Sequence, residues 1–219
     1  MKQFLCIISA LLLVSCGGAQ TKQATPVVFG DTIQLVQPNL EEGLTINQAL
    51  SLRASSREFT AEPLSLEELS GVMWAAAGIN RPENNHLTAP SAMAVYPLRV
   101  YAFTAEGVYL YDAPTHSLGR VVEGDHRKLT AVQDFAYHAP LNLVYVADLG
   151  RYEKYRMQRT KLESLAGMDA AGYAENVNLY AAGHALKAIT RGSGLFDEVI
   201  KLLSLDENHI VSLAQTVGK

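Results

Sequence analysis

Cysteine is nearly absent from this chain: its 219 residues include only two, Cys6 and Cys16, both within the first sixteen positions. A disulfide framework is thereby excluded, and a body of this size must be held by its own apolar core. Positive charge is not in excess either, with 18 Lys+Arg against 22 Asp+Glu and a formal net charge of -4. The basic footprint that a phosphate backbone demands is missing, so nucleic acid is not an expected partner. The apolar run at residues 4–14 is shorter than the ~20 residues a spanning helix needs. Disorder is excluded by a composition that is 48% hydrophobic and only 18% charged.

The usual catalytic signatures are missing as well. There is no Gly-x-Ser-x-Gly elbow, no Walker A loop and no Gly-x-Gly-x-x-Gly after a strand, and the short Arg-Gly-Ser-Gly at residues 191–194 is no nucleotide loop. A serine hydrolase, a P-loop enzyme and a dinucleotide-binding dehydrogenase lose their support. The six histidines (His86, His116, His126, His138, His184 and His209) form no His-Glu-x-x-His pair and have no cysteine partner in the body, so no metal is expected. Each reads as a surface or packed residue, with His184 read as a satisfied core histidine on an apolar helical face.

What is present begins at the N-terminus. Lys2, the apolar run and the tetrad Leu13-Val14-Ser15-Cys16 read as a secretion signal, and the tetrad resembles the lipobox of bacterial lipoproteins. A plain cleaved signal or an anchor helix are the other readings of the same run. Residues 1–15 are expected to be removed, Cys16 to carry lipid, and the chain to be anchored in the bacterial cell envelope, facing the periplasm or the exterior. Residues 16–43 read as a tether rich in Gly, Gln, Thr and Pro, within which 27–29 and 33–36 could lie along the body as short strands. Residues 44–219 form one domain.

Within that domain Thr45 is a plausible N-cap for a helix through Leu52, and Ser65 with Glu68 forms a capping box ahead of a helix that Gly78 ends. Residues 98–103 and 108–111 are β-branched and aromatic runs around Thr104-Ala105-Glu106-Gly107, a hairpin signal. The run 141–147, apolar on both faces, predicts a central strand. A charged helical stretch is expected at 151–161, a long helix at 170–189, a last helix at 196–203 and a terminal strand at 210–217. Strands and helices without βαβ alternation predict an α+β fold. Arg53, Ser55 and Arg57, at alternate positions, place two guanidinium forks and a hydroxyl where they can hold one anion, phosphate above all; a solvated face at a helix end is the other reading of the same charges.

Six segments in order carry a family resemblance. Residues 53–59 (RASSREF), 63–69 (PLSLEEL) and 73–80 (MWAAAGIN) resemble the opening of the nitroreductase family of flavin enzymes. Thr88-Ala89-Pro90-Ser91-Ala92 followed by Tyr96-Pro97-Leu98 resembles that family's Pro-Ser loop, and residues 107–112 resemble the hairpin of its thiazole- and oxazole-forming dehydrogenase branch. Residues 172–185 resemble its long interface helix, and 215–218 its last strand.

The resemblance implies a mixed, largely antiparallel sheet flanked by helices, a homodimer, and one FMN in each of two sites shared across the interface. Arg53, Ser55 and Arg57 match the family's grip on the FMN phosphate and ribityl chain, with Ala54 between them contributing backbone only. Pro90, Ser91 and Ala92 match the loop beside the isoalloxazine, and Thr190, Arg191 and Gly192 the segment whose backbone amide approaches flavin N5. The Arg191 side chain is expected to add a phosphate contact. Tyr96, where the family often has a polar residue, is expected to line the substrate pocket as a stacking or lid residue. No side-chain acid or base is implied, because the cofactor carries the hydride. The implied activity is hydride transfer that reduces nitro or quinone-like compounds or oxidises a small molecule or peptide; outside the cytoplasm it would need an electron donor other than NAD(P)H or run as a substrate oxidation. The alternative is a lipid-anchored binding protein on the same fold without flavin.

Overall fold

The computed structural model describes residues 25–219; the signal segment, Cys16 and the first part of the tether lie outside the described residues. In chain order the elements are β1 (Thr32–Gln34), α1 (Ile46–Leu52), α2 (Leu66–Ala77), β2 (Ile79–Arg81), β3 (His86–Leu87), β4 (Leu98–Phe103), β5 (Gly107–Asp112), β6 (Ser117–Glu123), α3 (Phe135–His138), β7 (Leu141–Asp148), α4 (Arg159–Gly183), β8 (Lys187–Arg191), α5 (Phe196–Leu202) and β9 (His209–Gly218). Seven strands form one antiparallel sheet in the order β1-β6-β5-β4-β7-β9-β8, and β2 with β3 make a separate small hairpin.

Local chemistry explains the elements that the sequence announces. Both first helices open on reciprocal capping boxes, Thr45 with Gln48 and Ser65 with Glu68, each satisfying two orphan backbone donors. The Thr104 backbone N–H donates to the Gly107 carbonyl at 2.9 Å, closing the turn between β4 and β5. Strand β7 lies inside the sheet, between β4 and β9. Its two faces serve two cores. Leu141, Leu143, Tyr145 and Ala147 pack with α2 and α4, whereas Val144 and Val146 pack with Phe103 and Val199 on the side covered by α5. Truncating a fully buried member such as Leu143 would cost about 2–5 kcal/mol.

Three expectations are corrected. The stretch read as helical at 151–161 is a 3-10 turn over Leu149–Tyr155, which Asp148 caps by accepting from the Gly150 N–H at 3.0 Å. The long helix runs over Arg159–Gly183 rather than 170–189, because Leu162, Ala166, Ala170, Tyr173, Val177 and Ala181 continue one apolar stripe toward the N-terminus. Its end comes early: Ala185 adopts a left-handed φ of 56°, and the residues after it form β8 along β9. His184 is therefore not a core residue of a helical face. It sits half-buried at the C-cap of α4, stacked on Tyr180 with ring centroids 3.9 Å apart, its Nδ1 hydrogen-bonded to the Tyr180 carbonyl at 2.8 Å.

The segment read as tether joins the body from Pro26 onward. Pro26 bridges Ser65, β1 pairs with β6, and Ile33 and Leu35 are buried in the core. Val36 N–H donates to the Ser70 hydroxyl at 3.0 Å. The alternation of Ile33 and Leu35 has the period that buries one face of a strand. Strand β6, which the sequence did not announce, supplies its partner.

Candidate functional site

Helix α1 ends when the Arg53 N–H donates to the Ala49 carbonyl at 2.8 Å, and the chain then extends along the outer strand β8. Ser55 forms an isolated parallel bridge with Ala188, and the Ser56 N–H donates to the Ala188 carbonyl at 3.1 Å. Farther on, the Thr60 N–H donates to the Lys219 carbonyl at 2.9 Å. This stretch therefore lies on the sheet edge, and the pairing with Ala188 brings Arg53, Ala54, Ser55 and Arg57 to the strand that carries Thr190 and Arg191 and leads into Gly192.

At that edge Arg53, Ala54, Ser55, Arg57 and Gly192 are exposed. Among the described residues no side-chain hydrogen bond or ion pair engages Arg53, Ser55 or Arg57. A Cβ built on Gly192 would meet nothing within 4 Å, so the edge has open space beside it. Two unpaired guanidinium groups flanking a free hydroxyl suit a phosphate dianion, since planar forks donate bidentately to its oxygens.

Arg191 itself points elsewhere. Its side chain is buried and donates to the Thr130 carbonyl, to Asn142 Oδ1 at 3.0 Å and to Thr216 Oγ1 at 2.9 Å. Burial without a carboxylate partner lowers its pKa to about 10. The expected phosphate contact from this side chain is thereby corrected: it ties β7, β8 and β9 to the 3-10 turn at Arg127–Thr130, on the sheet face away from α4. Only the backbone of Arg191 is available to a ligand at the edge.

Helix α4 connects the edge to the second candidate segment. Asn178 donates from Nδ2 to Thr190 Oγ1 at 3.2 Å and accepts at Oδ1 from Gln215 Nε2 at 2.7 Å; Gln215 in turn accepts the Tyr145 hydroxyl at 2.5 Å. Nine residues earlier, about 13 Å along the helix axis, Asp169 accepts the Ser91 hydroxyl at 2.5 Å and the Ala92 N–H at 3.0 Å. Pro90 is exposed beside Gly172 of the same helix. One helix thus holds both the Pro-Ser loop and the Thr190 strand. Tyr96 lies at the loop's end with its ring tilted against His86, centroids 5.5 Å apart, so its partner comes from the β2–β3 hairpin. Sequence reasoning missed Asp169, Asn178 and Gln215. A polar residue breaking an otherwise apolar stripe was the available signal for Asp169.

An antiparallel α+β sheet with an open, cationic edge defines a class of fold and site, and comparison with known proteins names the family. A family model described as the nitroreductase family matches residues 50–219. A curated protein of Methanocaldococcus jannaschii, provisionally named a nitroreductase, is 32% identical over 189 residues, covering 82% of this chain and 93% of that protein. The crystal structure of a protein from Ralstonia eutropha JMP134, also provisionally named a nitroreductase, superposes with a TM-score of 0.81 at 36% identity, covering 90% of this chain and 94% of the other. The NADPH:FMN oxidoreductase of Vibrio harveyi, solved with NAD+, superposes with a TM-score of 0.57 at 20% identity, covering 79% of this chain and 67% of that one, a likeness of fold alone. This chain belongs to the nitroreductase family.

Proposed function

We propose that the protein is an FMN-dependent oxidoreductase acting as a homodimer, in which hydride passes between flavin and a small organic substrate. The substrate is either a nitro or quinone-like acceptor or a small-molecule or peptide donor. The observation that carries the reading is the free cluster of Arg53, Ser55 and Arg57 on the strand edge, registered by the Ser55–Ala188 bridge beside Thr190 and Gly192. Arg53 and Arg57 would neutralise the FMN phosphate, and the Ser55 hydroxyl would donate to it or to the ribityl chain. Pro90, Ser91 and Ala92 would flank the ring, the backbone of residues 190–192 would offer an N–H to it, and Tyr96 with His86 would line the substrate side. When bound, FMN supplies the hydride chemistry.

In one protomer this site is open. The helix leading into it exposes Ile46, Leu50 and Leu52, each more than half exposed, and an apolar surface of that kind marks an association face. A second copy packed there would close the site and complete the dimer. The likeness of residues 107–112 supports a reading nearest the thiazole- and oxazole-forming branch, and Cys16 would hold the chain to the cell envelope through lipid.

The experiment is a titration of the chain beginning after Cys16 with FMN, followed by flavin fluorescence and the visible spectrum, with its mass in solution measured alongside. The expected result is a yellow dimer whose FMN affinity collapses in the Arg53→Ala/Arg57→Ala double variant. The second reading is a lipid-anchored binding protein without flavin, favoured by the lipobox-like tetrad at residues 13–16, since NAD(P)H is not normally supplied outside the cytoplasm. A folded dimer that takes up no FMN establishes it and overturns the first.

A further inference from the structure

Asp169 is the one buried carboxylate among the described residues. No arginine or lysine forms an ion pair with it there. Its partners are instead the two neighbouring groups of the Pro-Ser loop: Oδ2 accepts the Ser91 O–H and Oδ1 accepts the Ala92 N–H. The Ser91 oxygen in turn accepts the Tyr96 N–H at 2.8 Å, so the carboxylate holds one end of the loop directly and the other through the Ser91 hydroxyl.

What lies between those ends is unusual backbone. Met93, Ala94 and Tyr96 all take positive φ, at 56°, 53° and 48°. Three non-glycine residues in the left-handed region within four positions persist only where the surroundings over-determine them, and such segments concentrate at ligand sites. Beneath the loop the hydroxyls of Tyr152 and Tyr173 are buried without a hydrogen-bond partner. Burial first, then the nearby Asp169 charge, pushes the Tyr152 hydroxyl up to about 12, so both tyrosines stay neutral around the carboxylate.

We propose that Asp169 is a positioning residue of the site, fixing residues 90–96 in the left-handed path that sets the loop's backbone against the flavin, so that FMN affinity depends on a side chain buried under the loop. This rests on the FMN reading above. Asparagine at this position presents one acceptor and one NH2 to two donors, leaving either the Ser91 O–H or the Ala92 N–H without an acceptor.

The test compares the full chain with its Asp169→Asn, Ser91→Ala and doubly substituted variants, reading FMN dissociation constants together with hydrogen exchange of the Ala92 and Tyr96 amides in flavin-free protein. Asp169→Asn is expected to weaken FMN binding about tenfold or more, the equivalent of one buried hydrogen bond, and to speed exchange at both amides. Ser91→Ala, which keeps the fold if Asp169→Asn does not, is expected to act in the same direction, and the double variant to lose clearly less than the sum of the single losses, because both disturb the Ser91–Asp169 hydrogen bond. Asp169→Asn with parental FMN affinity overturns the proposal, and so do additive losses. A parent chain that binds no FMN overturns the flavin reading and with it the role of Asp169 toward flavin; fast exchange at Ala92 and Tyr96 in Asp169→Asn would then still show that the loop anchor itself is real.

Discussion

Replacing Arg191 by methionine separates a structural role from a binding one. The guanidinium makes three hydrogen bonds inside the protein, to the Thr130 carbonyl, Asn142 and Thr216. Hydrogen bonds to a charged group are each worth about 1.5–3 kcal/mol. Against them stands the cost of burying a cation with no carboxylate beside it. The fall in pKa from 12.5 to about 10 corresponds to about 3 kcal/mol at ~1.4 kcal/mol per tenfold change. Methionine fills much of the same volume but leaves the Thr130 carbonyl without its donor and Asn142 Oδ1 with the Thr216 hydroxyl alone, so a net destabilisation of about 2–5 kcal/mol is expected. For a domain of this size that lowers Tm by roughly 5–15 °C, measured by scanning calorimetry of the flavin-free chain. FMN affinity, determined below the melting transition, should stay within a few-fold of the parent. An Arg191→Met protein that melts with the parent would refute the accounting, and one that keeps its Tm but loses FMN would show that the side chain turns outward to the phosphate after all.

Other perturbations test the scaffold. Ser65→Ala removes one half of the capping box of α2, where the Ser65 oxygen accepts from the Glu68 N–H at 3.1 Å; a loss of about 1 kcal/mol is expected in urea denaturation. Gly71→Ala places a methyl group against the Tyr180 ring and hydroxyl, where α2 meets α4; a cost of about 1–3 kcal/mol is expected, partly recovered by adding Tyr180→Ala, and a fully stable Gly71→Ala would contradict the close approach. His116 is buried between the Tyr111 hydroxyl and the Val36 carbonyl, and burial holds its pKa below the ordinary 6.5. The unfolded chain therefore binds this proton more readily than the folded one, so stability is full above pH 6.5 and falls as pH drops below it. Urea midpoints between pH 5 and pH 8 should show that fall in the parent and a shallower one in His116→Gln.

The open edge also explains a division of labour in the molecule. Helix α4 packs the core through Ala166, Ala170, Tyr173, Val177 and Ala181, and from the same helix Asp169 and Asn178 reach the two segments assigned to the flavin. A rigid, 25-residue element is a better support for two distant loops than either loop is for itself. Site geometry is then coupled to core packing, so substitutions such as Gly71→Ala that shift α4 should disturb binding as well as stability.

The elements legible in the sequence were those specified by near neighbours. Thr45 and Ser65 mark their helices because a cap is satisfied within three residues, and Thr104 to Gly107 mark a hairpin because the turn is closed by its own backbone. The apolar run at 141–147 reveals a strand covered on both faces without any knowledge of what covers it. The family segments, read in order from the sequence, agree with the family match over residues 50–219. The sequence by pattern and resemblance already pointed to the fold class and the family. The tertiary structure alone decided that residues 187–191 form a strand, because their partners lie 23 to 31 positions away in β9; that Arg191 turns inward to Asn142 and Thr216; and that Asp169, seventy-seven residues from Ala92, holds the loop. In each case the deciding contact is long-range, and a local pattern records the propensity of a segment without recording which distant group will satisfy its polar atoms.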